Sequence, residues 1–496
     1  MKKLSILLAM ALMLTSIGLV SYAEEEPITI EFMTSEYVNA QLTNDLPTIQ
    51  ALEAALNIHL EFNIPASSAD DYTEKFNLML ASGDYPDIMK ATSEQVAAYL
   101  DSGIFLELTE IMPERMPNVY EQVQAYGVLQ DITSDDGKLW YVPKLEGSGA
   151  ISEIEWINQD WLDELGLEAP TNTDELYEVL KAFKENKGED CIPLIMGPWS
   201  NKLHNFYFAF NTWNTWRMFT EEDGIEYGPY DHAEEMRACL AYLNKLYAEG
   251  LLDSQYLTRD DDSINALIAN NQAGYFFAWA DDAPRLIEGG TLGVNYSYVY
   301  PISGPEGYHG WRGSTPVSTH FYINANSEVL DKVIEMCDYI FSEEGRNLFT
   351  WGVEGVTYNV VDGKKQYVNE IMEDPAGPLD GRRKMGVQPV SFLHVSEWEG
   401  WEAALPEYVM KIAQETADCV SLPILPGISA TPEEETELAN IMTDITKYVD
   451  SQLPLFVNGT LNTEEDFDAF IAQLEDMGIL EAKEIRDAQF ERWQNR

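Results

Sequence analysis

The sequence predicts an α/β protein assembled from discontinuous lobes, and three observations carry that prediction. Ile28, Ile30 and Phe32 alternate with Thr29 and Glu31; Ile49, Leu52 and Leu56 follow at helical spacing; Ile58, Leu60, Phe62 and Ile64 alternate again. That is a β-α-β unit, which implies a parallel sheet. Next, Phe76, Met79 and Leu80 form a helical face, Gly83 can take the positive φ that ends a helix, Asp84 and Pro86 shape a turn, and Ile88 and Met89 read as a short buried strand. Finally, two punctuated stretches at residues 139–143 and 294–305 read as crossings between lobes, and no repeat or low-complexity linker separates beads on a string.

The other elements follow in order. Asp131 to Lys138 is polar and turn-rich, ahead of Leu139-Trp140-Tyr141-Val142-Pro143 at the first crossing. Trp161 to Leu167 is a short helix stopped by Gly166. A second helix has Thr173 as its cap and Asp174 and Glu175 at its positive end. Leu176, Val179, Leu180 and Phe183 form its buried stripe. An aromatic-rich centre holds Trp199, Phe206, Tyr207, Phe208, Phe210, Trp213 and Trp216. Leu240, Leu243, Leu246 and Tyr247 mark a helix; Gly274 to Ala280 reads as a buried strand with Trp279 at its end, and Val294 to Ile302 as another. Val329, Leu330, Val333, Ile334, Cys337 and Phe341 give an amphipathic helix, and the chain from about Pro432 is mainly helical.

Composition narrows the function. Lys2 and Lys3, the apolar run Leu4 to Val20 and Ser21-Tyr22-Ala23 before Glu24 read as a cleaved export signal over residues 1–23. No later stretch approaches a membrane span, so the mature chain is expected to be soluble and exported. With 45% hydrophobic and 11% aromatic residues it can bury large cores. Without Lys2 and Lys3, 28 basic residues face 85 acidic ones, a charge of −57 that repels nucleic acid. Cys191, Cys239, Cys337 and Cys419 contain no C-x-x-C, which excludes a zinc ribbon; their pairing stays open, and Cys337 reads as a packed small hydrophobe. No cysteine sits near the signal cleavage point, so a lipid-anchor motif is absent. Six histidines show no H-E-x-x-H, and neither G-x-S-x-G nor a phosphate-binding G-x-x-x-x-G-K-[ST] loop occurs.

Four stretches in order carry a family resemblance. They are Ala81 to Met89; Asn158 to Leu167 with Pro170, Thr171 and Glu175; Gly352 to Tyr358 with Asp362-Gly363-Lys364; and Lys447-Tyr448-Val449, Phe456 to Gly459 and Met477-Gly478. Together, after an export signal, they resemble the extracellular solute-binding proteins (family 1, large oligosaccharide-binding subgroup) of ABC sugar importers. The resemblance implies a periplasmic-binding-protein-like fold, two α/β lobes and a central ligand cleft that closes about a hinge. The lobes are then expected at 27–143 plus 304–347 and at 144–303 plus 348–496. It implies a monomer that captures an oligosaccharide or related carbohydrate for membrane permease subunits, periplasmic if Gram-negative, with no enzyme activity and no cofactor. A peptide or other polar solute is the rival ligand, and a secreted carbohydrate-active enzyme the rival class. Relatives often carry a calcium loop after the helix matching Leu176 to Phe183. Here that segment is Lys184 to Asp190, with two lysines and few oxygen donors, so no metal site is expected.

Sugar sites stack aromatic faces on pyranose rings and fix hydroxyls with planar hydrogen bonders. In open α/β sheets ligands lie beyond the carboxyl ends of strands. Glu36 and Tyr37 follow the first strand; Asp84 and Tyr85 precede the strand at Ile88, and Thr92 and Ser93 follow it. Trp279 and Asp281 end the Gly274 strand, where the resemblance places a sugar-stacking tryptophan. Trp351 and Glu354 lie in the matched hairpin near a third crossing. Trp199 and Trp213 are candidate second-lobe contacts, whereas Trp216 reads as core.

Overall fold

The computed structural model describes residues 26–495 except 38, 65–68, 147–152, 197–202, 219–223, 280–281, 288, 312–315, 406, 416–426 and 429. The export signal at 1–23, Trp199, Asp281 and Cys419 lie outside the described residues.

Fourteen strands are present among the described residues: β1 (Ile28–Met33), β2 (Ile58–Asn63), β3 (Ile88–Ala91), β4 (Val142–Glu146), β5 (Glu153–Asn158), β6 (Ile192–Leu194), β7 (Trp216–Met218), β8 (Ile225–Tyr227), β9 (Ala273–Trp279), β10 (Tyr296–Val299), β11 (Val317–Ile323), β12 (Tyr358–Val361), β13 (Lys364–Tyr367) and β14 (Val395–Ser396). A six-stranded sheet runs β14-β4-β11-β3-β1-β2 and a four-stranded sheet β10-β5-β9-β6; β7-β8 and β12-β13 are separate ribbons. This is a two-lobed α/β fold. The predicted β-α-β unit is β1, helix Pro47–Leu56 and β2, with β1 and β2 parallel and Phe32 level with Phe62. Helix Ala69–Ser82 then ends at Gly83, whose φ of +79° a side chain would strain, and leads into β3.

One strand in each sheet runs against the rest. In the six-stranded sheet it is β11, antiparallel to both β3 and β4. In the four-stranded sheet it is β5, antiparallel to β9 and β10. Both are the strands that arrive from the other sheet. The chain leaves β4 at its carboxyl end and enters β5 beside the carboxyl end of β9, where Glu153 pairs with Trp279. It leaves β10 at its carboxyl end and enters β11 beside the carboxyl end of β4, where Val317 pairs with Leu145. The two carboxyl edges are therefore the edges joined by the crossings, and they face each other.

Three apolar clusters hold the fold. The first sandwiches the six-stranded sheet, with Phe32 stacked on Phe392 at 4.8 Å between ring centres. The second covers one side of the four-stranded sheet with helix Ala233–Ala248 and the C-terminal helices Pro432–Val457, Phe467–Asp476 and Ile479–Gln494. The third packs Trp156 and Phe276 against Trp351, Tyr358, Tyr367 and the helix Glu407–Glu415.

Several elements differ from the sequence reading in detail. Residues 139–143 run into β4, so the crossing lies beyond Glu146. The polar run before it is turn-rich as read, a tight turn in which the Ser134 amide donates to the Lys138 carbonyl at 2.8 Å. Within 348–496, β14 joins the six-stranded sheet beside β4, because Phe392, Leu393 and Val395 bury on that sheet. Asn172, not Thr173, caps helix Thr173–Asn186: its side chain accepts from the Glu175 amide at 2.9 Å, and Thr173 is buried.

Candidate functional site

The carboxyl edge of the six-stranded sheet gathers a polar cluster. Tyr37, beyond β1, has its hydroxyl 3.4 Å from both Asp380 Oδ1 and Arg383 Nη1, and Arg383 pairs with Asp380 at 2.9 Å. Glu36 accepts from the Gln41 side chain at 3.0 Å. Lys90 rises from the middle of β3 and donates to Ser35 Oγ at 2.8 Å. Lys144 in β4 donates to the Val390 carbonyl at 3.2 Å and pairs with Glu146 at 2.8 Å. Register places Lys90 opposite Phe321 and Lys144 opposite Thr319, so both lysines stand on one face of the sheet.

These charges act on one another. Burial, then the charge of Lys144, lowers the pKa of Lys90. Burial tends to raise the Glu146 carboxyl, but Lys144, a hydrogen bond from Ser318 and the charge of Arg383 together hold it below the ordinary carboxylate range. His394, fully buried beneath the cluster, is held well below the usual histidine value by burial and then by Lys144, with Arg382 and Arg383 adding to the effect. It is therefore a neutral ring at pH 7. At the same edge Ser93 Oγ lies 3.3 Å from His320 Nδ1, and His320 stacks on Tyr141 at 4.0 Å.

The facing edge, on the four-stranded sheet, is aromatic. Trp279 ends β9 and is 50% exposed, and Tyr300, just past β10, is also 50% exposed. Tyr298 donates to Glu415 at 2.7 Å, and its ring lies 6.4 Å from that of Tyr300. Exposed aromatic rings at the ends of parallel strands are available to stack on a ligand.

Other sequence candidates sit elsewhere. Asp84 and Tyr85 lie at the amino end of β3, the far edge of the sheet; Tyr85 packs on the first core and its carbonyl accepts from Asn324 at 3.1 Å. Thr92 is occupied by a capping box with Gln95. Trp213 is buried and stacks on Phe208 at 4.5 Å, under the guanidinium of Arg217. Trp351 is buried, donating to Glu399 at 3.2 Å. Glu354 is exposed in the turn before β12. The structure thus brings together Glu36, Tyr37, Ser93 and, on the facing edge, Trp279. Sequence reasoning missed Lys90, Lys144, Glu146, Arg383, His320 and Tyr300. The available signal was a lysine inside each of the apolar strands Ile88-Met89-Lys90-Ala91 and Val142-Pro143-Lys144-Leu145, in a chain with only 30 basic residues.

The segment 184–190, the last turn of helix Thr173–Asn186 and the residues after it, is held by its own lysines. Lys184 donates to the Glu249 carbonyl, and Lys187 pairs with Glu164 while lying 5.7 Å from the Trp161 ring centre. Among the described residues no group of three or more His, Cys, Asp or Glu side chains is placed to share a metal ion.

Two facing carboxyl edges on lobes joined by crossing strands define a solute-binding protein. The model of the bacterial extracellular solute-binding proteins matches residues 39–347, and the chain belongs to that family. Among its relatives is the fructooligosaccharide ABC transporter substrate-binding protein FusA of Streptococcus pneumoniae, 25% identical over 523 aligned residues that cover 96% of this chain and 92% of FusA. Among solved structures, FusA in complex with kestose superposes with a TM-score of 0.75 at 20% identity, covering 94% of this chain and 99% of that one. The alginate-binding protein AlgQ2, crystallised without calcium ion, gives 0.77 at 20% identity, over 95% and 99% of the two chains. No helix among the described residues is long and apolar enough to cross a membrane.

Proposed function

We propose that this protein captures an oligosaccharide outside the cytoplasm and delivers it to the permease subunits of an ABC importer. The single observation that carries the reading is the pairing of edges: exposed Trp279 and Tyr300 on one, and the hydrogen-bonding set of Tyr37, Lys90, Glu146 and Arg383 on the other. Aromatic faces supply apolar contact and the opposing polar groups fix orientation. Family membership and the match to FusA along nearly the whole chain support it. Closure of the lobes about the crossings brings the two edges onto the ligand. The protein works as a monomer and without nucleic acid.

Calorimetry against a panel of oligosaccharides and peptides tests this directly. The expected result is saturable binding of a glycan and none of peptides, with the glycan recovered intact after long incubation. Binding confined to peptides, or a cleaved glycan, would refute it.

A further inference from the structure

We propose that the six-stranded edge of the site is built for a carboxylate, so that the captured oligosaccharide is an acidic one, bearing uronate or a comparable carboxylated sugar. The proposal rests on the oligosaccharide reading and narrows it. Its geometric basis is a lysine in the cluster that makes no ion pair among the described residues. Lys90, Lys144 and Arg383 share this edge; Lys144 and Arg383 both act on Glu146 and His394, and Lys144 acts on Lys90. Glu146 answers Lys144 and Asp380 answers Arg383. Lys90 has Ser35 Oγ as its hydrogen-bond partner and makes no ion pair among the described residues.

That arrangement is costly for a merely structural lysine. An ammonium loses hydration on burial and gains it back only through a paired charge. Lys90 is half-buried with a second ammonium nearby and no ion pair among the described residues, in a chain of 30 basic and 85 acidic residues where counter-charges are plentiful. A ligand carboxylate at Ser35 and Lys90 supplies the missing charge. It also gives Lys90 a charge-assisted hydrogen bond, roughly twice as strong as a neutral one. Sugar hydroxyls accept from the same ammonium but leave it without an ion-pair partner. A carboxylate also needs a local cation here, because the protein's overall field repels anions.

The test pairs acidic glycans with their neutral counterparts in calorimetry. Trigalacturonate, an alginate trimer, a glucuronate-branched xylo-oligosaccharide and sialyllactose are each set against the carboxyl-reduced or unsialylated form. At least one acidic member should bind, with its neutral partner at least tenfold weaker. Lys90→Gln should weaken the acidic member about tenfold or more and shrink that preference, while Lys90→Arg should keep it. A neutral glycan that binds as well as its acidic partner overturns the proposal and leaves oligosaccharide capture intact. So does a Lys90→Gln variant of unchanged melting temperature with undiminished acidic preference. If no glycan in the panel binds and a peptide does, both this proposal and the oligosaccharide reading fall together.

Discussion

Replacing Trp279 by alanine separates a ligand contact from a core residue. A tryptophan can bury about 150–250 Å². Half of Trp279 is exposed, so about 100 Å² remains for a ligand to cover. At roughly 25 cal/mol per Å², losing that contact costs about 2.5 kcal/mol, or about sixtyfold in affinity. The measurement is calorimetry with whichever oligosaccharide the panel identifies, on variant and parent proteins of matched melting temperature. Trp213→Ala is the internal control. Trp213 is 8% exposed and stacked on Phe208, so its removal should cost about 3–5 kcal/mol of stability. An affinity for Trp279→Ala within twofold of the parent, with the fold intact, would show that the exposed ring faces solvent and not the ligand.

Three further outcomes are expected. Millimolar calcium should leave the melting curve where chelator puts it, since Lys184 and Lys187 fill the segment 184–190; a micromolar site would instead add about 4 kcal/mol of stability, which magnesium could not copy. Glu146→Gln removes the ion-pair partner of the buried Lys144 ammonium, leaving it the Val390 carbonyl, and should destabilise by about 2 kcal/mol at pH 7 in denaturant unfolding. Because the folded Glu146 carboxyl lies below its ordinary value, that difference should hold above about pH 4.5 and vanish as acid protonates the Glu146 carboxylate; a difference that grew on acidification would contradict the pairing. Cys239 and Cys337 are buried, with burial pushing both thiols up, and Cys191 is raised to about 12, so mass spectrometry should find these three unlabelled by a thiol reagent at pH 7 until the protein is unfolded.

What the sequence disclosed depended on how local the signal was. Alternation in Ile28 to Phe32 and Ile58 to Ile64, and the stripe of Leu176, Val179, Leu180 and Phe183, are visible because each element buries one face against a single core. Trp279 was legible as a strand-end aromatic. The cluster around Lys90 was not, because it forms only when β3, β4 and residues 380–394 meet, across some 300 positions of sequence. Asp84 was misleading for a related reason. Its turn resembles a family motif, yet it stands at the amino end of its strand, and position along a strand decides which residues reach the facing edge. Trp351 likewise looked like a ligand contact, but three neighbours claim its faces: Tyr358, Tyr367 and the ammonium of Lys365.

The charges at the six-stranded edge are arranged for holding a ligand. Glycoside hydrolysis needs two carboxyl groups across the bond, one of them kept protonated by a raised pKa. At the six-stranded edge the opposite bias operates: Glu146 is held ionised by Lys144 and Arg383, and Asp380 is tied to Arg383. Carboxyls that are raised among the described residues lie elsewhere. Glu31 is raised by burial and by Asp87, Glu61 and Asp84, and its amide hydrogen-bonds to Asp87 on the amino side of β3. Glu437, against Glu481, and Asp487 sit on the C-terminal helices. The six-stranded edge therefore offers fixed charge and directed hydrogen bonds, and the carboxyls raised among the described residues stand away from it.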